Sequence, residues 1–371
     1  MQENDNAKQL SSATFGCTNC GADLKYKPGT THLTCEYCGA ENEIPKLEEP
    51  VEELDYEAYL NQEANSQEQL TVNLVKCAIC AAESTLDTNI TSASCPYCDS
   101  PLVVEDAHEE NILKPKSLLP FKLKKEDAIL HFRQWIKKIW FAPNKLKKAV
   151  LSFDHFKGSY IPYWTYDAST STRYTGQRGI HYYVTESYTT TENGKSVRKT
   201  RQVRKTRWSF KSGEVDHFFD DVLVPASNSL PQKQVEALEP WDLENLEPFS
   251  KQYLSGFITE KYQINLKQGF DRACELMRPR IDQLIRRDIG GDEQRILTRD
   301  TVYNDITFKH LLLPAYVSAY KFKDKLYRFM VNARTGEVQG ERPYSWIKIT
   351  LAILGAIAVG AVIYYLFKQN A

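Results

Sequence analysis

The chain has 371 residues, 42% hydrophobic and 26% charged, the make-up of a folded body in water, which excludes both a disordered chain and a polytopic membrane protein. The formal net charge of -1 is an average over two unlike parts: residues 1–110 hold 21 Asp and Glu against 5 Lys and Arg, a balance of -16, so the remainder carries +15. Near-neutrality therefore does not exclude an anionic partner for the basic part.

Residues 1–14 carry neither the basic flank nor the apolar core of a signal peptide and read as a flexible N-terminus in a reducing compartment. Two copies of one cysteine pattern follow. Cys17, Cys20, Cys35 and Cys38 form Cys-x-x-Cys, fourteen residues, Cys-x-x-Cys, and Cys77, Cys80, Cys95 and Cys98 repeat it sixty positions on, with Ala22 falling on Ala82, Thr31 on Thr91 and Tyr37 on Tyr97. A Cys-x-x-Cys turn brings two thiolates to one ion, and a hairpin between two such turns closes a tetrahedron with no position left for water or substrate. The expectation is two tandem zinc ribbons with rubredoxin-like knuckles, over 15–45 and 75–105, holding two structural Zn²⁺; iron is the alternative for the same ligands. Cys274 stands apart, at helical spacing from Phe270 and Met277, and reads as a small buried apolar residue.

Residues 46–74 are acidic with Leu54, Tyr56, Tyr59 and Leu60 placed for a helix face, giving an acidic helical linker, and 106–119 a second linker. A central α+β domain of mixed antiparallel sheet and helices occupies 120–345. It opens with an amphipathic helix over 126–140, whose tryptophans and lysines suit either a core face or a membrane surface. Tyr, Thr, Val and Phe alternate from Ser159 to Pro225, predicting several antiparallel strands, with Asn193-Gly194 as a hairpin turn. The second arm of that hairpin holds seven cations in thirteen residues: Lys195, Arg198, Lys199, Arg201, Arg204, Lys205 and Arg207. Beside Tyr182, Tyr183, Tyr188 and Trp208, they suit phosphates and bases, anionic lipid, an acidic protein, or the chain's own acidic part. Helical patterns dominate 230–289, with Pro279 expected to kink the last helix, and strands return after Gly290-Gly291, paired through turns at Lys323-Asp324 and Thr335-Gly336.

From Ile349 to Phe367 nineteen residues run without a charge, about 28 Å as a helix and enough to cross a bilayer. Trp346 and Lys348 on one side and Tyr364, Tyr365 and Lys368 on the other suit the interfaces. The expectation is a single-pass tail anchor over 346–371 in the cytoplasmic (inner) membrane, its soluble body in the cytoplasm. Ala352, Ala356 and Gly360 make a small-residue stripe for a homodimer.

Phosphate-binding loop, HExxH, nucleophile elbow and dinucleotide fingerprint are all missing, and the cluster Asp216, His217, Asp220 and Asp221 is a weak candidate acid–base or metal site. The segments 135–144 (WIKKIWFAPN), 158–164 (GSYIPYW), 174–179 (YTGQRG) and 218–222 (FFDDV) resemble bacterial zinc-ribbon membrane proteins of unassigned function, over nearly the whole chain. Some of these are labelled as primosomal protein N′, the superfamily 2 helicase of replication restart. The resemblance implies the eight cysteine ligands and no reaction. The chain thus reads as a non-enzymatic, membrane-anchored scaffold or adaptor presenting ribbons and a basic hairpin to a protein partner; a nucleic-acid-binding protein related to replication restart is the alternative.

Overall fold

The computed structural model describes residues 15–45, 53–61, 69–85, 93–103, 107–143, 156–192, 195–322, 325–341 and 344–369. The N-terminal 1–14 and the turns at 193–194 and 323–324 lie outside them. The protein is a mixed α+β structure built on very long antiparallel strands.

The first cysteine repeat forms a four-stranded sheet in chain order, β1 (Phe15–Gly16), β2 (Asp23–Tyr26), β3 (His32–Cys35) and β4 (Glu41–Glu43). Where a helical linker was expected over 46–74, the described residues are only partly helical. Strand β5 (Leu54–Asp55) leads into one short helix, α1 (Tyr56–Asn61), and Gln69–Lys76 is a strand, β6. The alternation of Leu70, Val72 and Leu74 carries that strand along one face, and Val75 at its end is buried on the other. The second repeat is split between two sheets: β6 pairs with β7 (Glu83–Thr85), and β8 (Ala93–Ser94) pairs with β9 (Pro101–Leu102). The 106–119 linker is corrected too, since β10 (His108–Leu113) adds to β6 and β11 (Ser117–Leu118) enters the large sheet.

Helix α2 (Lys125–Lys138) buries Ala128, Phe132 and Ile136 on one stripe. Two strands then replace the several expected: β12 (Lys157–Glu192) and β13 (Lys195–Pro225), paired antiparallel residue by residue from Tyr163↔Pro225 to Glu192↔Lys195 with one register shift near Asp167. After β14 (Glu247–Pro248) and β15 (Ile258–Thr259), β16 (Glu293–Phe322) lies antiparallel on the other edge of β12, ending at Gly179↔Glu293. Past Gly179 no third strand among the described residues pairs with the β12–β13 hairpin, which continues as a two-stranded arm. Each side has thirteen residues, about 43 Å of strand. Strands β17 (Lys325–Asn332) and β18 (Val338–Gly340) complete the sheet around the Thr335-Gly336 turn, where Gly336 has φ 80°.

Between β13 and β16 the chain forms the short helix α3 (Gln232–Glu236), then α4 (Leu266–Ile289), capped by a reciprocal pair in which Asn265 Oδ1 accepts from Gln268 N at 2.9 Å and Gln268 Oε1 accepts from Asn265 N at 3.1 Å. This helix contains Pro279 and continues as one element on either side of it. It lies close on the sheet because position 269 is glycine: a Cβ there would stand 2.3 Å from Tyr166 Oη. The last helix, α5 (Trp346–Gln369), has no buried residue.

Alternation along the strands sorts the core by face. Tyr160, Leu312, Tyr316, Phe329 and Val331 pack with α2 and the first ribbon's Leu24, Tyr26 and Leu33. Their neighbours Ile161, Leu311, Leu313, Val317 and Met330 point the other way and pack with Cys77, Cys95, Tyr97 and Leu102 of the second. The two ribbons thus clasp opposite faces of one sheet, and α4 covers the rest of the first face against Trp164, Tyr166 and Phe308.

Candidate metal centres and the basic arm

Each knuckle is a tight turn held by its own backbone. In the first, Cys17 N donates to Ala22 O and Gly21 N to Cys17 O, both at 2.8 Å; the other three repeat the pattern at Cys35, Cys77 and Cys95 within 2.8–3.0 Å. The turn needs a left-handed residue four positions after its first cysteine. Gly21 and Gly39 supply it in the first ribbon (φ 73° each), while Ala81 and Asp99 (φ 59° and 58°) do so in the second, against the usual cost of a Cβ there. The chain is therefore bent to bring sulfurs together rather than leaving them near by accident.

Within each set the four sulfurs lie within 4.8 Å of one another. Cys17 Sγ is 3.5 Å from Cys38 Sγ, Cys20 from Cys35, Cys77 from Cys98 and Cys80 from Cys95. A disulfide would require about 2.05 Å, and all these cysteines are free. A tetrahedron of thiolates at about 2.3 Å from an ion has edges of about 3.8 Å, so the residues present fit a four-coordinate metal. Without a metal each set shares protons: the backbone N–H groups of Asn19 and Cys20 lower the Cys17 thiol while Cys20 is raised, and the Cys95 hydrogen bond lowers Cys80 while Cys95 is raised in return, so a metal binding all four as thiolates would displace the retained protons.

The duplicated tyrosines show how the two sites differ. Tyr37 in the first ribbon is 83% exposed, while Tyr97 in the second is fully buried. Tyr97 Oη donates to Glu260 Oε2 at 2.8 Å and lies 3.1 Å from Ser159 Oγ on β12. Ser227 Oγ donates to Glu260 Oε1 at 2.8 Å and Ser229 Oγ to the same oxygen. Burial pushes the Glu260 carboxyl up to about 7, with those hydrogen bonds opposing it. Two body cations also meet this knuckle: Lys157 Nζ reaches Cys95 O at 3.3 Å and Asp99 Oδ1 at 2.8 Å, and Arg328 Nε donates to Tyr97 O at 3.3 Å. They oppose the charge of about -2 that four thiolates leave around a dication. Glu260 and Lys157 were missed in the sequence, since a lone carboxylate among strand residues gives no local signal of burial.

The acidic part is tied to the body by further pairs, Lys261 to Glu83 (3.3 Å) and Glu110 (2.7 Å) and Lys309 to Glu53 (3.0 Å). Lys309 also meets Asp221 at 2.8 Å. Asp167 joins this group at the β12 bulge, and burial with the neighbouring Glu53 raises its carboxyl to about 7. Of the weak acid–base candidates, Asp221 alone enters this network; Asp216 stands opposite Ser171 farther along the hairpin and Asp220 is exposed. Cys274 is half-buried in α4, its thiol raised by that burial.

The register puts Lys195, Lys199, Arg201, Lys205 and Arg207 on one face of the arm with Tyr182, Glu186 and Tyr188, and Arg198 and Arg204 on the other with Tyr183. Glu186 is bridged by Lys205 at 3.0 Å and Arg201 at 3.7 Å. Arg207 lies over the Tyr182 ring at 5.3 Å and Arg201 over Tyr188 at 5.6 Å, which orders two guanidinium groups on a ring-lined strip. The acidic pairs described for the ribbons use Lys157, Lys261 and Lys309 rather than the arm.

Helix α5 has mean hydropathy 2.3 over its most apolar stretch and none of that stretch buried, so one helix among the described residues is long and apolar enough to cross a membrane.

Over 341 residues the chain is 26% identical to a protein described as Uncharacterized protein YdjG of Bacillus subtilis (strain 168), covering 91% of this chain and 92% of that one. No family model matches. No solved structure matches.

Proposed function

We propose that the protein is a zinc-binding, membrane-anchored adaptor without catalytic activity, its body in the cytoplasm. Two Zn²⁺ hold the ribbons against the sheet, and the basic arm is offered to an acidic protein partner. The observation that carries this is the closure of both cysteine sets. Each set offers four sulfurs from protein alone and one packs into the core of the sheet that continues into the arm, so a bound metal would serve assembly while the arm carries its cations beyond that core. In α5 the span supplies the anchor. The test joins two measurements on the full chain. Metal analysis should return two zinc ions per protein. A photocrosslinking residue at Thr190 on the arm should capture a protein in cells, and replacing Arg201, Lys205 and Arg207 by Gln should abolish that product. Capture that persists after neutralisation would refute the arm's role.

The ordered Arg–Tyr pairs favour one second reading, single-stranded nucleic acid on the ring-lined face, in line with the replication-restart label of the proteins the sequence resembles. It requires DNA affinity that falls steeply with salt and is lost with the same three substitutions; salt-independent or absent DNA binding dismisses it.

A further inference from the structure

We infer that the carboxyl-terminal end of α2 is a second membrane contact, with Trp140 and Phe141 seated in the interfacial layer of the bilayer beside the start of α5. The inference rests on the reading of α5 as a span.

Three hydrogen bonds lock these segments together. Lys348 Nζ donates to Trp140 O at 3.1 Å and to Ala142 O at 2.9 Å, and Ser345 N donates to Phe141 O at 2.8 Å. The ammonium of Lys348 thereby sits on the carbonyls that follow α2, where a cation is favoured. A group within hydrogen-bond reach of the first turn of a span shares its depth, which is the headgroup level. The residues at that depth have the chemistry of the interface. Trp140 is 75% exposed and Trp346 80%, and Phe141, Tyr344 and Ile347 are exposed beside them. A patch of this kind is costly in water and favourable where an indole ring meets acyl chains and its N–H meets headgroups. Lys138, exposed in the last turn of α2, adds a positive charge suited to anionic lipid. Trp135 in the same helix behaves differently: it packs on Phe132 and Phe329 in the core. The outward turn of Trp140 is thus specific to the end of α2 that meets the span. With two points on the membrane, span and α2 end, the body is held at a fixed tilt instead of swivelling on one helix.

The test uses full-length zinc-loaded protein in vesicles of equal parts phosphatidylcholine and phosphatidylglycerol, with bromine placed on the acyl chains near the headgroups. The Trp346→Phe variant leaves Trp140 as the indole at the interface, and the double variant Trp140→Phe/Trp346→Phe removes both. Bromolipid should quench a component of emission in the single variant that is missing in the double one. That component should be about half of the lipid-quenched emission of the wild type. Equal quenching of the two variants, with the single variant retained in the membrane after alkaline carbonate, would overturn the second contact and leave the anchor standing. Release of the protein by carbonate would overturn the span itself, and the contact with it.

Discussion

Glu260 makes the second ribbon's seat on the sheet sensitive to pH, and the sign follows from its surroundings. Its carboxyl lies 2% exposed among Tyr97, Ser227 and Ser229, with burial raising it from 4.5 to about 7. Below pH 4.5 the proton is bound in folded and unfolded chains alike and the full contribution is present. Between pH 4.5 and about 7 the unfolded chain has already released the proton, and the folded one must come to hold a desolvated anion, so stability is lost across that window. At about 1.4 kcal/mol per tenfold change in proton affinity the loss is on the order of 3 kcal/mol. The substitution Glu260→Gln keeps a carbonyl for the two serines and removes the ionisation. Urea unfolding at saturating zinc, from about pH 5 to about pH 8, should show the variant gaining on the wild type by up to that amount as pH rises, because the zinc-linked proton release is common to both proteins and cancels in the difference. A difference that stays flat across the range, or that moves in favour of the wild type, would refute the argument.

Three further outcomes follow from the same packing. Replacing Cys95 by Ser should leave one zinc per chain by metal analysis; because Cys95 and Tyr97 pack with Leu313, Val317 and Met330, the unfolding midpoint of the body should fall along with the ribbon. In α4, Gly269→Ala gains about 1 kcal/mol of helix propensity but places a methyl 2.3 Å from Tyr166 Oη and 2.8 Å from Trp164 Cδ1. Overpacking of this kind costs about 1–3 kcal/mol, and displacing the 2.7 Å bond from Tyr166 Oη to Leu266 O adds about 1 kcal/mol more, so thermal unfolding should show a net loss. Replacing Arg198, Arg204 and Lys205 by Gln should leave the unfolding midpoint within about 0.5 kcal/mol of wild type, since exposed pairs contribute little; a larger loss would mean the arm is part of the folded core.

The two cysteine clusters were legible because thiolate chemistry fixes sequence spacing: cysteines three apart can meet one ion, and the sixty-residue offset exposed the duplication. The β16–β17 pairing was legible for a similar local reason, two apolar runs either side of a short polar break. The length of β12 was not, because Pro162, Gly176 and Gly179 look like interruptions yet lie within the paired strand. Gly176 and Gly179 are there for close approach: a Cβ on the first would meet Arg295 O at 2.6 Å and one on the second Thr206 Cγ2 at 2.8 Å. Strand β6 was hidden by the acidic stretch before it, although Leu70, Val72 and Leu74 alternate. The unequal fates of Tyr37 and Tyr97 lay beyond any sequence repeat, since burial of Tyr97 depends on Ser159 and Glu260, more than sixty residues away.

The arm also has the properties of a ruler. Its two strands face each other without a register shift from Gly179↔Trp208 to Glu192↔Lys195, so length and orientation are coupled through the pleat. Adding two residues to each side would extend its reach by about 6.6 Å and leave the same cations looking the same way. Adding one would extend it by half as much and turn the charges beyond that point to the opposite side. A partner that reads both distance and direction would accept changes in even steps only.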